Sequence, residues 1–170
     1  MTGRVERLTR MALLLALATV IHTVEALLPV TAGWFRPGLA NIVGLTTLFL
    51  YGFKEALFVT LGRVFLGSLA TGLFGSPAFL LSLSGGVSAM AAMGSAHRYG
   101  RRRFSVIGIS LFGAVFHNIG QLFMAYLLII RHEGVLLLLP VMILTAAGTG
   151  LINGVAARFF IDHFRKVTRM

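Results

Sequence analysis

The chain has 170 residues, of which 57% are apolar and only 12% charged, and it carries a net charge of +10. A soluble domain carries about 25% charged residues, and six helices of about 20 residues would use about 120 positions, which leaves no room for a soluble catalytic domain. Cysteine is absent and Asp162 is the only aspartate, which excludes disulfides, zinc–thiolate sites, iron–sulfur clusters and an Asp-rich magnesium site.

The first apolar stretch runs from Met11 to Leu28 and is stopped by Pro29. It follows a basic tail, as a secretory leader would. It lacks a convincing small-residue cleavage motif, however, and five more stretches follow, so a retained helix is expected. Val30 to Pro37 form an outer loop whose Trp34 and Phe35 suit the interfacial belt. The second stretch, Gly38 to Tyr51, has 14 residues, about 21 Å of helix against an apolar core of about 30 Å. Either Gly33–Pro37 dips into the membrane, or neighbouring helices bury this one. The third stretch is Ala56 to Phe74, and a Gly75-Ser76-Pro77 turn hands over to the fourth, Ala78 to Ala96. After the basic loop His97–Arg103 comes the fifth, Phe104 to Ile130, and then the sixth, Val135 to about Phe160. The charged, amphipathic end of the sixth is expected to project past the membrane surface. Barrel strands alternate apolar and polar residues, whereas Leu136 to Leu139 and Met11 to Val20 do not. The expected fold is an all-α membrane protein, a six-transmembrane-helix bundle forming one domain over residues 1–170.

The basic residues orient this bundle. If every stretch crosses, all fifteen Lys and Arg except Arg36, Arg63 and Arg131 fall on one side, in the N-terminal tail, near Lys54, in the Arg98–Arg103 loop and in the C-terminal tail. Cytoplasmic loops retain Lys and Arg, so both termini are expected in the cytoplasm. The positive charge is thus a topology signal, and nucleic acid is not expected as a partner.

Ionisable residues within membrane spans are costly and need a partner or a wet cavity. Arg63 lies nine residues beyond Lys54, about 14 Å into the membrane and close to its midplane. His22 and Glu25 are three apart on the first helix, and His117 and Gln121 are four apart on the fifth beside Asn118. Asn41 begins the second helix near the same outer level. Gathered at this depth, Arg63, Glu25, His22, His117, Gln121 and Asn41 are candidate substrate-binding residues of a pocket open to the outside. Arg63 offers a planar donor fork for a carboxylate or phosphate, and the 14 Phe with Trp34 and Tyr126 could line an apolar compartment. Each has a plainer reading. Arg63 and Glu25 could be one structural ion pair, His117 could bond a backbone carbonyl, and Gln121, Asn118 and Asn41 could be interhelical glue. His22 near the interface could be solvated.

Small residues four apart, such as Ala12 and Ala16, Ser84 to Ala96, and Ala146 to Gly154, allow close helix approach, inside the bundle or against another membrane protein. Catalysis finds little support. Gly85-Gly86 lacks the strand–loop–helix setting of a phosphate loop, no Ser-His-Asp set has a usable carboxylate, and His22 with Glu25 is too small a set for a metal. Asp162 and His163 read as a solvated helix end. No haem or flavin attachment motif is visible, so no cofactor is expected.

The stretch Arg63-Val-Phe-Leu-Gly-Ser-Leu, continuing through Gly75-Ser-Pro-Ala-Phe-Leu-Leu-Ser-Leu-Ser-Gly-Gly to Met90, and the segment Pro37-Gly-Leu-Ala-Asn-Ile-Val resemble the bacterial membrane family labelled Gx transporter, also called heptaprenyl diphosphate synthase component I. The resemblance extends over nearly all six helices. The family looks like a relative of the substrate-binding S components of energy-coupling-factor vitamin transporters, six-helix proteins with both termini cytoplasmic. Their first helix docks a membrane coupling subunit through an Ala-x-x-x-Ala seam, which Ala12 and Ala16 match. The resemblance implies a bacterial cytoplasmic-membrane subunit that binds a vitamin-like, isoprenoid or quinone-related small molecule. It also implies a coupling partner with ATPases, since no Walker motif is present. The synthase label implies instead an accessory to a separate, soluble prenyl synthase. Prenyl elongation needs paired Asp-rich magnesium motifs, and one aspartate cannot supply them. A role in a membrane flavin or quinone redox system is also implied.

Overall fold

The computed structural model describes residues 2–27, 38–100 and 103–168. These form the helices α1 (Thr2–Leu27), α2 (Asn41–Leu50), α3 (Phe53–Ala70), α4 (Pro77–Tyr99), α5 (Val106–Ala125) and α6 (Leu139–Thr168). A π turn, Tyr126–Ile130, and a 3-10 segment, Glu133–Leu138, join α5 to α6. No strand occurs among the described residues. The expected outer loop Val30–Pro37, with Trp34, Phe35 and Arg36, lies outside them, as do Arg101, Arg102 and Arg169.

Local chemistry sets the helix ends. Ser76 caps α4, its Oγ accepting from the Phe79 N–H at 3.3 Å, and Pro77 occupies the first turn, where its missing N–H costs nothing. Ser105 caps α5 in the same way, accepting from the Gly108 N–H at 3.2 Å. α3 stops at Ala70, four residues before the expected Phe74. There Gly72 takes φ +69° and the Leu73 N–H returns to the Ser68 carbonyl at 2.9 Å, a left-handed cap that an apolar pattern does not reveal. α5 ends at Ala125 rather than Ile130, because its last turn widens into the π turn. That turn is closed by Arg131 at φ 45°, the left-handed region that disfavours any residue with a Cβ. Arg131→Gly is therefore expected to raise stability by about 1 kcal/mol, measured as a higher unfolding midpoint in detergent.

Among the described residues, four helical segments are long and apolar enough to cross a membrane: Val5–Leu27, Pro77–Tyr99, Val106–Leu128 and Glu133–Lys166. Their outward faces carry large exposed apolar side chains, among them Leu13, Phe116, Leu137, Leu144 and Phe159, as a multi-pass membrane protein requires. α2 and α3 do not meet this standard. α2 has ten residues, about 15 Å, and α3 carries Lys54, Glu55 and Arg63. α2 is instead an internal helix: seven of its ten residues are buried, and it packs against α1, α3, α4 and α6. Of the two readings of the short second stretch, burial by neighbours agrees with this packing, and the other, a dip at Gly33–Pro37, lies outside the described residues.

Helix direction alternates along the chain. α1 runs parallel to α3, with Arg7 paired to Glu55 and Leu15 against Gly62. α2 runs opposite to α3, Asn41 meeting Arg63 and Gly44 meeting Thr60. α4 opposes α3 (Gly94 on Phe53), α5 opposes α4 (Gly113 on Met93), and α6 opposes α5 (Gly154 on Ile107). The start of α1 and the end of α6 therefore lie at one end of the bundle. The seam Ala146, Gly150 and Gly154 is spent inside it: a Cβ on Gly154 would lie 2.8 Å from the Ile107 Cα. Ala12 and Ala16 face outward, exposed.

A buried polar chain beside an apolar cavity

The core offers little but hydrocarbon, so each buried polar group must find a partner within it. Arg63, midway along α3, is 2% exposed. Its Nη2 donates to Asn41 Oδ1 on α2 at 2.6 Å. Asn41 Nδ2 faces His117 Nδ1 on α5 at 3.4 Å, and one turn further His117 Nε2 lies 3.1 Å from the Gln121 amide. Three helices thus contribute one continuous chain, Arg63–Asn41–His117–Gln121. The helix faces allow it: His117 and Gln121 stack at i and i+4, and Gly85 on α4 leaves the space that a Cβ would take, 2.9 Å from both side chains.

Glu25 joins the group indirectly. Its carboxylate accepts from the Gly38 N–H and, at 3.0 Å, from the Leu39 N–H. It thereby holds the turn that leads into α2 and carries Asn41. The same turn is held from the other side by Asn153 on α6, whose Nδ2 donates to the Gly38 carbonyl at 3.0 Å. Arg63 and Glu25 are not among the ion pairs of the described residues, so the direct pair is replaced by a charge separation across the Gly38–Asn41 turn. Sequence reasoning missed Asn153. A lone amide within the apolar run of the sixth stretch was the available signal. His22 is buried on the α1–α3 seam against Gly67. Asn118 acts as interhelical glue, Nδ2 donating to the Met142 carbonyl at 2.6 Å.

Gln121 also lines a cavity of about 280 Å³ between α5, the 3-10 segment and the start of α6, with Leu81, Leu122, Ala125, Val135 and Met142 among its walls. It lies toward the end of the bundle opposite the termini. The aromatic lining expected from the 14 Phe is not found there: apart from Gln121 and Thr145 the described walls are apolar and non-aromatic, Trp34 lies outside the described residues, and Phe58, Phe65, Phe116, Phe123 and Phe159 are exposed. Phe160 and Phe164 instead line a second hollow of about 220 Å³ between α1, α2 and α6. The π turn helps to form the cavity, since Ile130 at its end is part of the wall. No group of three or more potential metal ligands occurs among the described residues.

No curated protein and no solved structure matches the chain. A family model does match, that of heptaprenyl diphosphate synthase component I, and it covers residues 14–160. That match takes in all of α2 to α5 together with the polar chain and the cavity, and on its extent the protein belongs to the heptaprenyl diphosphate synthase component I family.

Proposed function

We propose that this chain is the ligand-binding membrane subunit of a larger assembly, similar in role to a transporter S component and dependent on a separate energising partner. A small molecule with an apolar body and one polar head occupies the cavity at Gln121, entering from outside a bacterial cytoplasmic membrane. The observation that carries the reading is the contact between the Arg63–Asn41–His117–Gln121 chain and a cavity whose other walls, Thr145 apart, are apolar. A few placed polar groups in an apolar hollow is the usual make-up of a small-molecule site. Sidedness follows from charge. Arg7, Arg10, Lys54, Arg98, Arg103, Arg158, Arg165 and Lys166 gather at the end of the bundle that holds the termini, which by the positive-inside rule is the cytoplasmic end. The test is native mass spectrometry of the gently extracted complex. A co-purifying small molecule that Gln121→Leu removes supports the reading; a ligand-free chain with no partner refutes it.

Ala12 and Ala16 are the proposed docking seam for a membrane coupling subunit, since they are small, four apart and exposed. The double change Ala12→Leu with Ala16→Leu is expected to leave the unfolding midpoint within about 0.5 kcal/mol of the parent, as for other exposed positions, and to abolish partner co-purification.

The family description favours a second reading: a non-catalytic accessory of heptaprenyl diphosphate or isoprenoid-quinone metabolism. With Asp162 alone, the chain would serve a separate soluble synthase. Co-purification with that synthase, and loss of product-length control without this chain, would select it over transport.

A further inference from the structure

The second hollow, of about 220 Å³, lies in the gap between α1 and α6. Both helices pack on α2, which forms its floor. Arg10, Leu17 and Ile21 on α1, Val43 on α2, and Phe160 and Phe164 on α6 are among its walls. The hydroxyl of Thr46, also in the wall, is spent on the Ile42 carbonyl at 2.8 Å. Among the described lining, Arg10 is therefore the group that leaves polarity for an occupant. Ile21 lies eleven residues beyond Arg10. That is about 16 Å of helix against an apolar core of about 30 Å, so the wall is one leaflet long. A spanning helix of a partner or of a second copy needs the full core and a width of about 10 Å. A hollow of this size and length does not seat one, whereas a hydrocarbon chain fits it.

The charge sits where a headgroup would. Arg10 marks the end of the hollow nearest the termini, at the end of the bundle where the basic residues gather. Its side chain is 34% exposed, so an anion can reach it. Arg10 bonds Glu6 and Tyr51, and a guanidinium with five N–H donors keeps others for an incoming phosphate. Glu6 is itself largely exposed, and water screens its charge.

We propose that an anionic phospholipid of the cytoplasmic leaflet occupies this hollow, with one acyl chain between α1 and α6 and its phosphate on Arg10. Anionic lipids enrich that leaflet and attract basic residues beside it. The lipid fills the seam that α1 and α6 leave open above α2. This site is separate from the Gln121 cavity and stands whether or not that cavity binds a ligand. Only the choice of leaflet rests on the positive-inside reading.

Native mass spectrometry tests it, with the full chain released from nanodiscs that hold equal amounts of dioleoyl phosphatidylglycerol and dioleoyl phosphatidylcholine. The two lipids share their acyl chains, and only the first is anionic. One phosphatidylglycerol is expected to stay bound, favoured about fivefold over phosphatidylcholine, the worth of one basic residue at an anionic headgroup. Arg10→Gln is expected to bring that ratio to about one. Arg98→Gln removes the same charge from a different groove, beside Phe53, and is expected to leave the ratio in place. Leu17→Trp fills the hollow from an exposed position, and is expected to lower retention of both lipids together. Equal retention of the two lipids by the parent chain overturns the proposal. So does an equal loss from Arg10→Gln and Arg98→Gln, which would show a diffuse attraction to the basic surface. A retained lipid that Leu17→Trp leaves in place also overturns it, because the chain then lies elsewhere. A dimer that Leu17→Trp dissociates would give the hollow to a second copy and overturn it too.

Discussion

Arg63→Ala is expected to destabilise the protein by about 3 kcal/mol. The change leaves Asn41 Oδ1 buried without its donor, about 1–3 kcal/mol, and removes the packed stem of a fully buried side chain. Arg63→Met keeps most of that volume and relieves the cost of a buried charge, so it should cost about 1 kcal/mol. A double-mutant cycle separates the two accounts of this arginine. If Arg63 and Glu25 form a structural pair, Arg63→Met and Glu25→Gln should be strongly coupled. The observed arrangement has Glu25 bonded to the Gly38 and Leu39 N–H groups and Arg63 bonded to Asn41. Glu25→Gln retains a carbonyl oxygen for the turn, so its coupling to Arg63→Met is expected below about 0.5 kcal/mol, whereas Asn41→Leu with Arg63→Met should couple by more than about 1 kcal/mol. Equilibrium unfolding in mixed micelles measures both couplings, and the opposite ranking would restore the ion pair.

Gly38→Ala is expected to cost about 3 kcal/mol and to break the polar chain. Gly38 sits at φ +76°, where a side chain costs about 1 kcal/mol or more. A Cβ there would lie 2.9 Å from Asn41 Nδ2 and 3.2 Å from His117 Cδ2 and Nε2, and overpacking of that kind adds about 1–3 kcal/mol. Asn41 and His117 must move to admit it, so the His117 nitrogen-15 shifts should change together with the unfolding midpoint. Gly148→Ala is the control: it lies in α6 with nothing within 4 Å of the new Cβ, and it should raise stability by up to about 1 kcal/mol through helix propensity alone. Equal losses at both positions would show that Gly38 has no special role.

Arg63, Asn41, His117, Gln121 and Glu25 join one hydrogen-bonded group around the Gly38–Asn41 turn, although residue spacing pointed only to the two pairs that share a helix. His117 and Gln121 could be paired in advance because the helical repeat alone stacks them. His22 and Glu25 share a face by the same repeat, yet one meets Gly67 and the other a backbone turn. Spacing tells which side chains leave a helix together, but not what they meet.

The amino-acid sequence by itself determined that this chain is helical, apolar and multi-pass. Run length, the scarcity of charge and the demand that lipid-exposed backbone bond to itself leave no other fold for it. It also showed that Arg63, deep within a span, needed a partner or a wet cavity. The tertiary structure alone decided that α2 is internal, that Arg63 answers to Asn41 instead of Glu25, that Asn153 steadies the turn, and that an aliphatic hollow ends at Gln121. These are contacts between residues far apart in the chain, and they depend on which glycine faces let helices close and how far each helix slides past its neighbour. No local pattern of residues carries that information.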